Sequence, residues 1–151
     1  MKGIAVFQNK LKGYVKFHSI NNIIIITGNI KGLKQGCHGI HIHKYGNLLN
    51  KDCEKCGGHY NPYNKNHGGR NSKDRHVGDL GNIYSNNGVS KFRFIMRNSG
   101  IYLSGKHSVL GRSVVIHKDK DDLGKGKFSD SCTTGHSGKR LDCAVIGLMD
   151  I

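Results

Sequence analysis

Ten histidines occur in this chain of 151 residues, and several stand at spacings that suit metal binding. His41 and His43 are two residues apart in an alternating segment, so on a strand both rings leave the same face and can bind one ion. Taken alone, that spacing is also typical of a strand with two polar outward positions. Further candidate ligands follow in a long polar segment and at the end of a later alternating segment: His59, His67, His76, Asp79 and His117. Neutral imidazoles suit copper and zinc, and one carboxylate among several histidines favours zinc over magnesium or calcium.

Short alternating segments must position these side chains. Each is rich in β-branched residues and bounded by Gly, Asn or Ser, and no window of 11 or more residues keeps a helical apolar period. Eight strands are predicted, at 3–7, 13–18, 23–30, 38–43, 80–84, 89–96, 113–117 and 143–148. Their spacing predicts an all-β fold, an eight-stranded Greek-key sandwich or flattened barrel, with only short, local helices.

Two long gaps separate the predicted strands, at 44–79 and 118–139. Loops longer than about 12–15 residues without regular structure are uncommon and usually functional. Both gaps are polar, rich in Gly and dense in His, Asp and Cys, which indicates that ligand bonds hold them where a core cannot. We therefore expect the chemistry of the protein in these two loops.

Length and charge limit the class of protein. The chain has the usual size of one domain, so residues 1–151 are predicted to form a single domain. Its net charge of +14 favours nucleic acid, anionic membrane surfaces or small anions as partners. The longest apolar run, 23–26, is far short of the ~20 residues of a membrane span, and the first residues lack a secretory apolar region. We expect a soluble, cytoplasmic protein with no membrane span.

Five segments carry a resemblance to one family. GIHIHKYGN, GGHYNPYNKNHGG, RHVGDLGN, GRSVVIHKDKDDLGKG and GKRLDCAVIGL are similar to the signature segments of copper/zinc superoxide dismutases, in the same order and at similar spacing over nearly the whole chain. The resemblance implies two cofactors, copper and zinc. It places copper at His41, His43, His59 and His117. It places zinc at His59, His67, His76 and Asp79, so that His59 bridges both metals.

The resemblance also implies a reaction, the dismutation of superoxide to O2 and H2O2 by a redox-cycling copper supported by zinc. His59 would deliver a proton to the peroxide. Arg140 matches a channel arginine that positions the anion beside copper, and Thr134 matches a residue that narrows the channel. Asp121 matches a carboxylate that links a copper ligand to a zinc ligand and fixes the orientation of both rings.

Five cysteines are an odd number, so at least one thiol stays free in a monomer. Cys53 and Cys143 match the intrasubunit disulfide of the family, since Cys53 stands six residues before His59. Cys56 departs from the pattern. It creates a CEKC spacing in which either thiol can reach Cys143, or both can capture zinc.

The partners expected from the resemblance are superoxide, a second copy of the chain and a copper chaperone. Ile4, Leu110, Gly111, Val145 and Leu148 lie in segments that pair in the family dimer. The excess of positive charge has two interpretations, a solvated basic surface or non-specific docking on a polyanion. Two alternatives to an enzyme are a basic, zinc-stabilised binding protein and a non-catalytic protein that sequesters copper. Against both, every matched copper ligand and the channel arginine are present.

Overall fold

Eight antiparallel strands make up nearly all regular structure in the computed structural model, which describes residues 1–150. The strands are β1 (Lys2–Gln8), β2 (Lys12–Ile20), β3 (Ile23–Lys31), β4 (Gly36–His43), β5 (Asp79–Ser85), β6 (Val89–Arg97), β7 (Ser113–His117) and β8 (Arg140–Met149). A single 3-10 turn spans Glu54–Cys56, and one short helix, α1, spans Ser131–Thr134. Ile151, the last residue of the predicted domain, lies outside the described residues. The all-β prediction is confirmed.

The strands form one sheet in the order β5-β4-β7-β8-β1-β2-β3-β6. Consecutive strands β3 and β4 do not pair with each other, because β3 pairs with β6 and β4 pairs with β5 and β7. This is the expected Greek-key connection. The two edge strands β5 and β6 also approach each other, so the sheet curls into a nearly closed barrel.

Apolar side chains at alternate positions along the strands fill the interior of the barrel. In β3, for example, Ile24, Ile26, Gly28 and Ile30 are buried, while Ile25, Thr27 and Asn29 between them are partly exposed. Burial of one such isoleucine side chain stabilises the fold by about 1.5–3 kcal/mol. The same inward alternation in the other strands gives a single continuous core.

Two strands begin earlier than predicted by more than one residue. β4 starts at Gly36 and β8 at Arg140, because backbone pairing continues beyond the apolar positions. Gly36 lies opposite Ser85 on β5, and Arg140 lies opposite His117 on β7. Polar residues at these strand ends carry no apolar alternation, so the pattern alone placed both starts too late.

The two long loops occupy the predicted gaps, at 44–78 and 118–139. The first is bonded to β4 by its backbone, since the Ile42 amide donates to the Gly78 carbonyl at 2.9 Å and the Tyr60 amide donates to the Ile42 carbonyl at 2.8 Å. A Cβ at Gly78 would overlap the Ile42 carbonyl, so the close approach requires glycine. Within residues 1–150, helices of the length and apolar character needed to cross a membrane are absent.

Candidate metal centre

Four imidazole rings meet where the first long loop covers β4. His41 and His43 alternate along β4 with Ile40 and Ile42, which belong to the core. The two rings therefore leave the sheet on the side opposite the core. A backbone bridge between His43 and the loop brings a third ring beside them. The ligand atoms of the four rings lie within 4.8 Å of one another: His41, His43, His59 and His117.

One nitrogen on each of these rings is buried without any hydrogen-bond partner in the described structure. The four atoms are His41 Nδ1, His43 Nε2, His59 Nε2 and His117 Nε2. A buried polar atom without a partner costs about 1–3 kcal/mol, and four in one place are hard to explain as packing. A cation that accepts all four lone pairs removes that cost. Four imidazoles form a donor set that suits copper, as it suits several other transition metals.

The opposite nitrogens of these rings are held by acceptors. His43 Nδ1 donates to the Gly57 carbonyl at 2.8 Å, and His117 Nδ1 donates to the Gly138 carbonyl at 3.1 Å. His41 is held in the same way by a carboxylate. Because a neutral imidazole carries only one proton, each of these bonds leaves the other nitrogen free to bind a metal.

A second cluster lies beside the first and shares one of its rings. Nδ1 of His59 and Nδ1 of His67 each lie 2.9 Å from Asp79 Oδ1, and Nδ1 of His76 lies 3.2 Å from the same oxygen. The other Asp79 oxygen accepts from the backbone amides of His76 and Gly68, which fixes the carboxylate. A tetrahedron with zinc bonds of about 2.0–2.1 Å has edges of about 3.3 Å, so this donor set fits zinc.

Asp121 connects the two clusters. Its buried carboxylate accepts from His41 Nε2 at 2.7 Å through one oxygen and from His67 Nε2 at 2.8 Å through the other. Asn82 holds Asp121 from both sides, because its side chain bonds the Asp121 amide and carbonyl at 2.7 and 2.9 Å. A Cβ at Gly135 would overlap the Asp121 carboxylate. Asn82 was not predicted, since a lone Asn on a strand carries no signal of this contact.

Burial sets the protonation of the first cluster. It lowers the pKa of His41 well below its usual value and lowers the pKa of His117 to about 3, so both rings are neutral at neutral pH. Burial acts in the same direction on the pKa of His67. There the hydrogen bonds to Asp121 and Asp79 outweigh it and raise the pKa to about 9. The unpaired nitrogens of the first cluster are therefore ready to bind a cation.

Arg140 begins β8 directly opposite His117. Its Nη1 donates to the Cys53 carbonyl at 2.8 Å, and its Nε lies 3.8 Å from a Glu54 carboxylate oxygen. Burial is the main cause of the low pKa of His117, and the positive charge of Arg140 lowers it further, which places the guanidinium within electrostatic reach of the first cluster. Thr134 is the exposed last residue of α1, in the second long loop.

The predicted disulfide is present between Cys53 and Cys143, whose Cα atoms are 6.0 Å apart. It ties the first long loop to β8. Cys56 packs against the disulfide as a free, buried thiol, and burial raises its pKa. The competing pairing of Cys56 with Cys143 is not the one the structure adopts, and because the Cys53 sulfur is bonded to Cys143, only one thiol of the CEKC pair is free.

The chain is similar to known proteins over nearly its whole length. Residues 11–146 match the family model described as copper/zinc superoxide dismutase. The chain is 46% identical over 150 residues to Cu-Zn superoxide dismutase A of Xenopus laevis, with 97% of each chain covered. It is 44% identical over 154 residues to Cu-Zn superoxide dismutase 5 of Dictyostelium discoideum, with full coverage of both. The crystal structure of the clock protein EA4 superposes with a TM-score of 0.91 at 38% identity, covering 98% of this chain and 94% of that one.

Proposed function

The chain belongs to the copper/zinc superoxide dismutase family, and we propose that its two histidine clusters divide the two metals between them. The protein is an enzyme that dismutates superoxide with copper and zinc. That activity argues against the two alternatives, a basic binding protein and a copper-sequestering protein without catalysis. What is proposed here is the role of each residue of this chain.

Copper is held by His41, His43, His59 and His117 in this proposal. Zinc is held by His59, His67, His76 and Asp79. The observation that carries the proposal is the set of four buried imidazole nitrogens without partners, one on each proposed copper ligand. His59 alone contributes to both sets, because its Nε2 is unpaired among the copper ligands while its Nδ1 faces Asp79. An imidazole that has lost its N–H proton can bind one cation through each nitrogen and so bridge two metals.

The chemistry that copper would supply when bound is the exchange of one electron with each superoxide: one superoxide would be oxidised to O2, and the next would be reduced and take up two protons to give H2O2. Whenever copper is not bound to it, His59 Nε2 would take a proton and could donate it to the reduced oxygen, while Nδ1 would stay on the zinc side. Arg140 positions the anion, because a guanidinium fixed by the Cys53 carbonyl keeps its remaining donors in one direction. Thr134 narrows the approach. Asp121 orients the rings of His41 and His67.

The test replaces His59 with alanine and counts metals per chain. His59→Ala is expected to lose most superoxide turnover and to bind zinc more weakly, since three zinc ligands remain where four are needed. His18→Ala is the matched control, because His18 lies on β2 away from both clusters. Anomalous scattering at the two metal edges on the unmodified protein measures the positions of both ions. Two metals without a shared imidazole, or full zinc binding by His59→Ala, would contradict the bridging role.

A homodimer is proposed through an apolar surface on β1, β8 and the loop before β7. The candidate residues are Ile4, Leu110, Gly111, Val145 and Leu148. Leu148 is 69% exposed and Val145 is 36% exposed in the single chain, which supports a surface that a second copy covers. Sedimentation equilibrium of the unmodified protein and of Leu148→Glu measures the mass. A monomer for the unmodified protein at micromolar concentration would refute this contact.

Four finer expectations complete the proposal. Residues 1–151 act as one domain, which limited proteolysis would test by leaving one resistant fragment. The protein works in the cytoplasm, where a copper chaperone loads it. Its basic surface binds polyanions without sequence preference, which is supported by the net charge of +14. Fractionation of the source cells tests the cytoplasmic location, and copper loading with and without a chaperone tests the role of the chaperone.

A further inference from the structure

The excess positive charge is confined to two parts of the chain. Segments 1–51 and 80–118 contain fourteen Lys and Arg and no Asp or Glu. The remaining segments, which hold most of both long loops, contain ten basic and ten acidic residues. Counted by structural element, the two metal-binding loops at 44–78 and 118–139 carry a net charge of +5, from twelve basic and seven acidic residues, and the strands and shorter turns of the barrel carry the other +9.

The pairing of β2, β3 and β6 places much of this charge on one outer surface, the side of these three strands that faces away from the core. We call it the β6 face. Its six basic residues project between inward residues such as Val15, Ile26 and Phe94. The six are Lys12, Lys16, Lys31, Lys91, Arg93 and Arg97. The three strands contain no acidic residue, and within the described chain none of the six takes part in an ion pair.

Polar partners stand beside the charges in matched rows. Asn29 lies opposite both Tyr14 and Lys91, and Thr27 lies opposite both Lys16 and Arg93. Neighbouring strands are about 4.8 Å apart and successive rows about 6.8 Å apart, so cations and neutral donors alternate over a short distance. The Tyr14 ring is partly exposed, with Lys16 Nζ 4.7 Å from its centroid.

Two shallow depressions lie along β6. One is lined by Tyr14, Asn29, Lys91 and Arg93. The other is lined by three arginines, by neutral polar residues and by two apolar residues of β6: Arg70, Arg75, Arg97, Asn71, Ser72, Asn98, Ser99, Ile95 and Met96. Neither lining contains a carboxylate. Lys91 and Arg97, one from each depression, are six residues apart on the same strand, which is about 20 Å.

Two of the three arginines of the second depression are fixed in place. The Arg70 guanidinium stacks 3.8 Å above the Phe94 ring, and Arg75 donates to the carbonyls of Ser99 and Val77 at 3.0 and 2.8 Å. These contacts orient the guanidinium groups without neutralising their charge. A preorganised arginine loses less side-chain freedom when it binds a phosphate.

We propose that the β6 face binds single-stranded nucleic acid, without sequence preference, with the strand running along β6. The proposal deepens and rests on the polyanion binding proposed above. Lys91, Arg93 and Arg97 lie in one line along β6, with exposed Ile95 between the two arginines, and can meet phosphates of one strand. Arg matches phosphate oxygens with two donors. Tyr14 provides a ring on which a base stacks, which is the combination used by sequence-tolerant single-strand binders. Depressions lined by amides and hydroxyls favour a polymer chain over a flat bilayer.

The β6 face and the metal centre lie on different strands. The copper histidines of the barrel lie on β4 and β7, and neither strand pairs with β2, β3 or β6. Substitutions of exposed β6 side chains are therefore expected to leave superoxide turnover unchanged. Turnover measured on the same samples separates a failure of this proposal from a failure of the metal assignment.

The test measures fluorescence anisotropy of a fluorescein-labelled 20-nucleotide oligothymidylate with the metal-loaded protein between 50 and 200 mM NaCl. One variant combines Lys91→Gln, Arg93→Gln and Arg97→Gln. Its control combines Lys34→Gln, Lys51→Gln and Lys106→Gln, which are exposed, lie outside the β6 face and remove the same charge. Each lost phosphate contact lowers the salt slope by about 0.7, so the β6 variant is expected to lose about 2 from the slope and at least tenfold in affinity. The control is expected to stay within about twofold of the unmodified protein.

Several results would overturn the proposal. Equal weakening in both triple variants would mean that diffuse net charge alone attracts the oligonucleotide. Absence of binding by the unmodified protein at 50 mM NaCl would refute it directly. Tighter binding to heparin, or to vesicles of phosphatidylserine and phosphatidylcholine, than to the oligonucleotide would assign the face to a glycan or a membrane instead.

Tyr14 supplies an independent test of base contact. Tyr14→Ala is expected to weaken binding of oligothymidylate several-fold and to leave binding of long-chain inorganic polyphosphate unchanged, because polyphosphate has no base to stack. Tyr14→Phe keeps the ring and is expected to bind like the unmodified protein. Equal effects of Tyr14→Ala on both polymers, or no effect on either, would contradict the assignment to nucleic acid.

Discussion

Replacing Asp121 with asparagine tests how the metal centre is held together. The Asp121 carboxylate accepts from two ring nitrogens, His41 Nε2 at 2.7 Å and His67 Nε2 at 2.8 Å, and it is fully buried. Asparagine has nearly the same shape but only one acceptor oxygen. Its amide nitrogen must face one of the two imidazole N–H groups, so two donors meet and one ring is left without an acceptor.

The size of the effect follows from that lost contact. One buried donor without a partner costs about 1–3 kcal/mol, and loss of the negative charge weakens the second contact as well. Loss of a residue that hydrogen-bonds to a metal ligand typically lowers metal affinity by about 10- to 100-fold, which corresponds to about 1.4–2.8 kcal/mol. We expect Asp121→Asn to weaken at least one metal by that amount. The pKa of His67, now about 9, is expected to fall towards its usual value in the metal-free protein.

Competition with chelators measures the affinity for zinc and for copper separately, and NMR titration of the metal-free protein measures the pKa of His67. Asp122→Asn is the matched control. Asp122 is the next residue in the same loop, and its carboxylate accepts from the Ser131 hydroxyl and the Gly124 amide instead of a histidine. Asp122→Asn is expected to change loop stability without changing metal affinity more than about twofold.

Retention of both affinities by Asp121→Asn, within about twofold, would refute the reasoning. So would equal losses in Asp121→Asn and Asp122→Asn, because the effect would then come from general disorder of the loop.

Three other predictions concern the channel, the disulfide and pH. Arg140→Ala is expected to reduce kcat/KM more than Lys139→Ala, with a loss that persists at high salt, where surface charges are screened beyond ~8 Å; pulse radiolysis across a salt series measures both, and equal, fully salt-suppressed losses would contradict the positioning role. Cys143→Ser opens a loop of 90 residues, so the free energy of unfolding should fall by about 4–5 kcal/mol in denaturant titrations, and an unchanged midpoint would argue against a structural role. Burial lowers the pKa of His41 and His117, so the unfolded chain binds more protons below about pH 6.5, and the metal-free protein should lose up to about 1.4 kcal/mol per pH unit for each such ring as the pH falls towards 5. Calorimetry at several pH values measures that slope. The raised pKa of His67 has the opposite effect on stability only above about pH 6.5. Higher stability at pH 5 than at pH 6.5 would contradict the prediction.

Much of the fold was predictable because its signals are local. Alternation located all eight strands, and the two long gaps located both loops. The strand ends at Gly36 and Arg140 were missed because backbone pairing extends past the last buried apolar residue. The alternation of apolar and polar residues indicates which positions are buried in the core, but it gives no information about polar residues at the end of a barrel.

The site was predictable only as a set of residue types. Spacing and family resemblance named the histidines, but they could not say which nitrogen of each ring is free. That choice depends on distant acceptors, such as the Gly57 carbonyl for His43 and the Gly138 carbonyl for His117. Asn82 and its contacts with Asp121 depend on the packing of β5 against the second loop, which no local pattern records. The concentration of charge on β6 likewise required strand register as well as the sequence.

The bond from His67 to Asp121 joins the two long loops, since His67 belongs to the first and Asp121 to the second. Either loop can open only if this buried contact breaks, so the two should behave as one unit in local unfolding. In native-state hydrogen exchange of the metal-free protein, amides of both loops would then share a single opening free energy, although 54 residues separate the joined side chains. Occupation of one metal site would slow exchange around the other, and by reciprocity each ion would tighten the binding of its neighbour.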